Sequence, residues 1–332
     1  MVVVGVGAFL ILRQGSAEHD VGSAFSHLRW QQLPWLLVAF SAEGLSFWCY
    51  ATVQRKLLLS GGARLGRRTM VSLAVAATGL SNLVPGGTAP ASGWLVGQYR
   101  RRDIPMPLAL WAVLSGGYAA TVSILFLLLA GAAIAGLIGP WALVGCAAAL
   151  VGGASAVVVG VHRLDRLSAF VDRHHAKRGK RLLNRITGHV ATTMRFRIKV
   201  PGGAQVLALS VGNWALDVFV LIAAFGLLGL PIPWRAVLFA YATAQVAGSL
   251  APVPGGIGFV EGGRIGAFAL AGSSVGDAVA ATVIYRAITC WLTAAVGSVT
   301  LLVVTRRHAT PAELDEELCG EEAQPETTTS GR

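Results

Sequence analysis

The sequence predicts an all-α fold: a polytopic transmembrane helical bundle with two re-entrant broken-helix hairpins in an inverted-repeat arrangement. Three observations predict it. The chain is strongly apolar, with mean hydropathy +0.63, 54% hydrophobic residues and only 13% charged ones, and long stretches carry no charge at all. Its basic residues fall between the apolar stretches, where the positive-inside rule would place them. Two Pro-Gly-Gly triplets, Pro85-Gly86-Gly87 and Pro254-Gly255-Gly256, interrupt segments that are otherwise apolar enough for a bilayer.

The elements follow in order. Residues 1 to 12 are apolar but shorter than the ~20 residues a spanning helix needs, so either the chain starts within a span or the first helix runs on past Arg13. Met1 to Leu12 has neither the basic leader nor the cleavage site of a signal peptide. Residues 33 to 52 form the next span, and a basic loop with Arg55, Lys56, Arg64, Arg67 and Arg68 follows on the cytoplasmic side. The stretch from Thr69 to Val84 enters the membrane, breaks at the first triplet and ends at Tyr99-Arg100-Arg101-Arg102. A hairpin returns these arginines to the cytoplasm, which charge favours over a full crossing.

Residues 106 to 130 then span outward and 137 to 160 span back. They deliver the loop 162 to 203, which holds 11 of the 27 Lys and Arg residues, to the inside. Residues 204 to 230 cross outward, 234 to 250 lead into the second break, 259 to 272 return, and 278 to 304 span inward to Arg306-Arg307. The membrane domain is therefore 1 to 307, with halves of about 33 to 160 and 204 to 305 and a cytoplasmic C-terminus. The tail from 308 to 332 is acidic and is expected to be disordered. An offset of 169 residues lays the second triplet on the first and Gly262 on Gly93, the trace of an inverted repeat.

The breaks have a physical consequence. Proline removes a backbone donor and tandem glycine frees the chain, so a helix entering lipid must stop there with unpaired N–H and C=O groups. Exposed to hydrocarbon, each such group costs several kcal/mol, so these segments must face protein, water or a polar ligand. Packing kinks are common in membrane helices; two matched triplets with polar neighbours point instead to a site. After the second break, "PVPGGIGFVEGGRIGAF" places Glu261 and Arg264 on one helical face, and Arg286 lies in the next apolar span. A charge at this depth costs at least ~2.5–3.5 kcal/mol, so the acid and the arginines must pair or line a wet cavity.

Two readings stand for these charges. One is a fold-stabilising ion pair between Glu261 and an arginine. In the other, an arginine and the freed backbone N–H groups bind an anionic head group while Glu261 holds that arginine or carries a proton. Glu43 and Asp217 belong to the same polar interior, and Asn82, Asn213 and Gln245 could add neutral hydrogen bonds.

The run "APVPGGIGFVEGG" with its downstream "YRAIT", and the earlier "GLSNLVPGGTAPASGWLVGQYR", resemble the motifs of the lysylphosphatidylglycerol synthase transmembrane region, or flippase-like, family over roughly residues 30 to 305. The resemblance implies a multi-pass protein of the plasma (inner) membrane that moves lipids between leaflets. Carried over by position, it implies a site at Pro85, Gly86, Gly87, Arg100, Pro254, Gly255, Gly256, Gly258, Glu261 and Arg286, to which the reading of the residues adds Arg264. The chain departs from the family pattern at Gly93-Trp94, where many relatives carry Gly-Glu, and at "LSGGY", where they carry an arginine. The ion-handling chemistry is thus expected in the second half.

Other function classes find little support. After Arg307 only 25 residues remain, too few for an aminoacyl-transferase domain, so lysine transfer is not expected of this chain alone. No HExxH, GxSxG or kinase signature occurs, and no nucleotide-binding motif. No cofactor, metal or nucleic-acid partner is expected, and Cys49, Cys146, Cys290 and Cys319 are too scattered for a metal site or disulfide framework. His174-His175 point apart on a helix and have no acidic or Cys ligand at suitable spacing. The basic loop reads either as a solvated topogenic segment or as an amphipathic helix on an anionic leaflet. The partners expected are membrane lipids with an anionic or lipid-linked head group. The alternatives are an accessory protein or enzyme acting with a lipid-modifying partner such as a lipid-linked glycosyltransferase, or a proton-coupled small-anion transporter.

Overall fold

The computed structural model describes residues 30–139, 141–146, 148–149, 152–153, 200–249, 251 and 253–306. The apolar start at 1 to 12, the basic stretch with His174-His175, Cys319, the acidic tail and 11 of the 24 residues of the span expected over 137 to 160 lie outside the described residues. A 3-10 turn at Trp30–Gln32 leads into α1 (Pro34–Ser60), then α2 (Arg67–Leu83), α3 (Thr88–Arg100) and α4 (Met106–Ile134). The second half holds α5 (Val200–Leu227), α6 (Val237–Ser249), a 3-10 turn at Pro254–Gly256, α7 (Phe259–Leu270) and α8 (Val275–Arg286). A π-helical turn at Ala287–Leu292 joins α8 to α9 (Thr293–Arg306).

Four helical stretches are long and apolar enough to cross a bilayer: Trp30–Ser60, Met106–Ile134, Pro201–Leu227 and Val275–Arg306. Well under half of each is covered by the rest of the protein. The uncovered faces carry Phe40, Trp48, Leu114, Phe126, Phe219 and Leu302. In water such faces would drive association, whereas in a bilayer they are solvated by acyl chains. The chain is therefore an all-helical polytopic membrane bundle.

One boundary differs from the sequence expectation. α1 runs on to Ser60, so Arg55 and Lys56 lie in its last turns rather than in a loop. Their long stems carry the charges to polar partners, Arg55 Nε donating to the Leu65 carbonyl at 3.2 Å and Lys56 Nζ to Gln205 Oε1 at 2.7 Å. A flexible basic side chain near a helix end can reach the interface without stopping the helix.

The apolar packing divides into two cores. One gathers Leu57 and Leu58 of α1, Leu73 of α2, Leu95 and Tyr99 of α3 and Leu108 of α4, and reaches Val206 of α5 and Val304 of α9. The other takes Ala39 and Ala42 of α1, Ile124 and Leu127 of α4, residues 218 to 228 of α5, and buried residues of α6, α7 and α8. The long helices α1, α4 and α5 thus contribute one end to each core. The helices flanking the first break pack at one end of the bundle and those flanking the second break at the other. α2 also packs along α9, where a methyl group on Gly79 would stand 2.6 Å from the Gly297 Cα, so only paired glycines allow this approach.

Candidate functional site

Both Pro-Gly-Gly points interrupt the helices. α2 ends at Leu83, with Val84 extended, and α3 begins at Thr88. α6 ends at Ser249, and α7 begins only at Phe259. At the second break Gly255, Gly256 and Gly258 adopt φ of 59°, 65° and 87°, a left-handed conformation that any L side chain would resist. At the first, Gly86 does the same at 60°, and a Cβ on Gly87 would fall 2.0 Å from the Ser81 carbonyl oxygen. The glycines therefore serve geometry at both breaks.

The second break is also held by charge. The Gly258 N–H donates to Glu261 Oε2 at 2.6 Å, so the carboxylate reaches back over the start of its own helix. The other oxygen, Oε1, lies 2.7 Å from Arg286 Nε on α8. This is an ion pair of close approach whose N–H does not point along a hydrogen bond. Arg286 Nη2 donates to the Gly255 carbonyl at 2.7 Å, supplying a partner for a backbone acceptor that the broken helix leaves free. Glu261 and Arg286 are each 8% exposed, so this staple sits inside the bundle. The fold-stabilising ion pair foreseen from the sequence is present, and Arg286, not Arg264, is the partner.

The two breaks meet at this point. A Cβ on Gly255 would stand 3.3 Å from the Asn82 carbonyl oxygen, at the end of α2, and 3.2 Å from Cys290 Sγ in the π turn. Asn82 Nδ2 in turn reaches the Thr289 and Cys290 carbonyls, each at 3.5 Å, which the wider π turn leaves less well paired. Pro85, Gly86 and Gly87 thus follow directly on a contact with the second site. Arg100 is exposed in the last turn of α3 and makes no side-chain hydrogen bond or ion pair among the described residues. Its neighbour Arg102 is the engaged one, Nη1 donating at 2.8 Å to both the carbonyl and Oε1 of Gln98.

Arg264 occupies a second polar group. Its side chain is fully buried at 0% exposure, and its guanidinium carbon lies 4.0 Å over the Tyr285 ring. None of its three nitrogens has a hydrogen-bond partner. The Tyr285 hydroxyl donates to Asp217 Oδ2 at 2.8 Å, and Tyr241 and Gln245 of α6 donate to the same oxygen at 2.6 and 3.3 Å. Arg264 lies within electrostatic range of Asp217, whose Oδ1 is buried without a partner. Glu43 of α1 is near enough to interact with Asp217 and lies 3.3 Å from Thr293 Oγ1.

Sequence reasoning missed Tyr241, Tyr285 and Thr293. A tyrosine in an apolar span is ordinarily packing, and nothing in the run "VIYR" shows that the ring seats Arg264, which lies on the preceding helix. Tyr285 stands beside Arg286, which was the only available signal. Asn213 proves to be a helix-helix contact, its Nδ2 donating to Ser46 Oγ at 2.7 Å and to the Ser46 carbonyl at 3.0 Å. No cluster of three His, Cys, Asp or Glu side chains able to hold a metal gathers among the described residues.

No curated protein matches the chain. The lysylphosphatidylglycerol synthase TM region family matches it over residues 1–297, and no catalytic domain accompanies that match. With that match covering most of its length, the chain belongs to the lysylphosphatidylglycerol synthase TM region family.

Proposed function

We propose that the protein is a lipid translocator of the plasma membrane, with a cytoplasmic C-terminus and a polar path between two re-entrant hairpins. The observation that carries this reading is Arg264, a fully buried guanidinium beside a broken helix with all three nitrogens free of hydrogen-bond partners. Asp217 lies within electrostatic range of Arg264 but fills none of its donors, and a phosphate or carboxylate head group offers matching acceptors. Arg286 and Glu261 hold the break in shape, and the backbone at Gly255, Gly256 and Gly258 completes the surface that a head group would meet.

Helix lengths support the hairpins. α2, α3, α6 and α7 have 17, 13, 13 and 12 residues. At 1.5 Å per residue these reach about 18–26 Å, short of the roughly 30 Å hydrocarbon core. The packing of each broken pair at opposite ends of α1, α4 and α5 supports entry from opposite faces, as an inverted repeat requires.

The test uses the full chain in lipid vesicles with a fluorescent anionic phospholipid and a membrane-impermeant quencher. Wild type exposes nearly all of the probe, and Arg264→Gln leaves the inner-leaflet share protected. Unchanged translocation in the variant removes Arg264 from the path. In cells lacking the protein, a lipid leaflet imbalance is expected. A missing lipid product there would favour a partner of a lipid-modifying enzyme, and small-anion flux without lipid movement would favour a solute carrier.

A further inference from the structure

Apart from Arg55, Lys56, Arg67, Arg68, Arg100, Asp277 and Arg306, the described helices carry three acids, Glu43, Asp217 and Glu261, against two bases, Arg264 and Arg286. Glu261 and Arg286 neutralise each other in the staple at the second break. That leaves Glu43 and Asp217 facing Arg264 alone, a group with one negative charge in excess. An uncompensated charge among packed helices is expensive, and one bound proton removes it.

Hydrogen bonding decides which acid takes the proton. Asp217 Oδ2 already accepts from Tyr241, Tyr285 and Gln245, with Arg264 nearby, so its carboxylate is served by three donors. Glu43 has one hydrogen-bonding neighbour among the described residues, Thr293 Oγ1, at 3.3 Å. The same hydroxyl lies 3.2 Å from the Ile288 carbonyl in the π turn. A hydroxyl carries a single proton, and a carbonyl can only accept. With the Thr293 proton given to Ile288, the contact with Glu43 is a hydrogen bond only if Glu43 itself donates. A protonated Glu43 satisfies both contacts, and an ionised one leaves the threonine choosing between two acceptors.

We propose that Glu43 is an exchangeable proton-binding site in the membrane interior, linking head-group movement to pH through Thr293 and the π turn. The groups around it are few. α5 presents Asp217, beside which stand Arg264 of α7 and the hydroxyls of Tyr241 and Tyr285. α4 has no Asp, Glu, Lys, Arg or His, and the charges of α2 are Arg67 and Arg68 in its first turn. On α1 itself the other charges, Arg55 and Lys56, are three turns further on and tied elsewhere. Glu43 is half-buried within its span. Losing the proton would turn the Thr293 hydroxyl from Ile288 toward Glu43. That alters the turn that follows Arg286, whose guanidinium holds the Gly255 carbonyl.

The proton site is tested by infrared difference spectroscopy of the full-length protein in detergent across a pH titration. A protonated-carboxyl C=O band is expected to titrate in wild type, to shift with carbon-13 glutamate but not carbon-13 aspartate, and to vanish in Glu43→Gln. It should persist in Asp217→Asn and Glu261→Gln, and in Thr293→Val it should change frequency because its hydrogen-bond partner is gone. The labelling arm needs no substitution, so a misfolded variant cannot mask the answer. Absence of a titrating band, a band that follows the aspartate label, or one that survives Glu43→Gln overturns the site.

The linkage to transport rests on the lipid-translocator reading and is read separately. In vesicles an imposed pH gradient should change the wild-type translocation rate several-fold and leave Glu43→Gln unaffected. A wild-type rate indifferent to the gradient overturns the linkage while the translocator stands. Absence of any wild-type translocation overturns the translocator while the infrared band still decides the proton site.

Discussion

The first and second Pro-Gly-Gly breaks solve the same backbone problem by different means. At the first, the turn is held by close backbone approach: Gly87 lies against the Ser81 carbonyl, and no acid stands within α2 or α3. At the second, three left-handed glycines are stapled by Glu261 and Arg286, and Arg264 is buried one helical turn further on. Sterics suffice to stop a helix, and the second break carries buried charge beyond what stopping requires, which is the charge the proposed translocation path would use. The contact between Asn82 and Gly255 joins the two, so the plain break braces the charged one.

Substitutions can break or sharpen this contrast. Arg286→Ala should have the largest effect on stability, costing about 3–5 kcal/mol, because it strands a buried Glu261 carboxylate and the Gly255 carbonyl together. Thermal unfolding in detergent reads this. The double variant Glu261→Gln with Arg286→Gln should recover most of the loss, and failure to recover would mean that the arginine acts chiefly through Gly255. Gly87→Ala should cost about 1–3 kcal/mol by overpacking against Ser81, with no charge involved.

Smaller effects follow. Gly255→Ala should cost about 1–2 kcal/mol for its left-handed backbone, with translocation lost in addition if Arg286 is displaced. Arg100→Ala should leave stability within about 0.5 kcal/mol, as an exposed side chain without partners does. If Arg100→Ala instead proved as damaging as Arg286→Ala, the first break would hold a charge site of its own and the contrast would fail.

Much of this was legible in the residues. Four of the spans, both interruptions and the pairing of Glu261 with an arginine follow from apolar length, from the backbone chemistry of proline and glycine, and from the cost of a lone charge in lipid. These are local properties, or properties of composition. Which arginine Glu261 meets was not legible: Arg264 shares its helical face and Arg286 lies in the next span, and the α7–α8 packing brings Arg286 to it. Arg100, carried into the site by the resemblance alone, is left exposed at the end of α3.

By itself the sequence determined that this chain lives in a membrane and that two of its helical segments break at Pro-Gly-Gly. Only the tertiary structure decided which charges neutralise one another. Pairing depends on distances between helices far apart in the chain, Glu43 with Thr293 and Asp217 with Tyr285, and no periodicity within one helix encodes the face its neighbour will present. The same packing isolates Arg264 and leaves Glu43 as the acid that one threonine proton cannot serve.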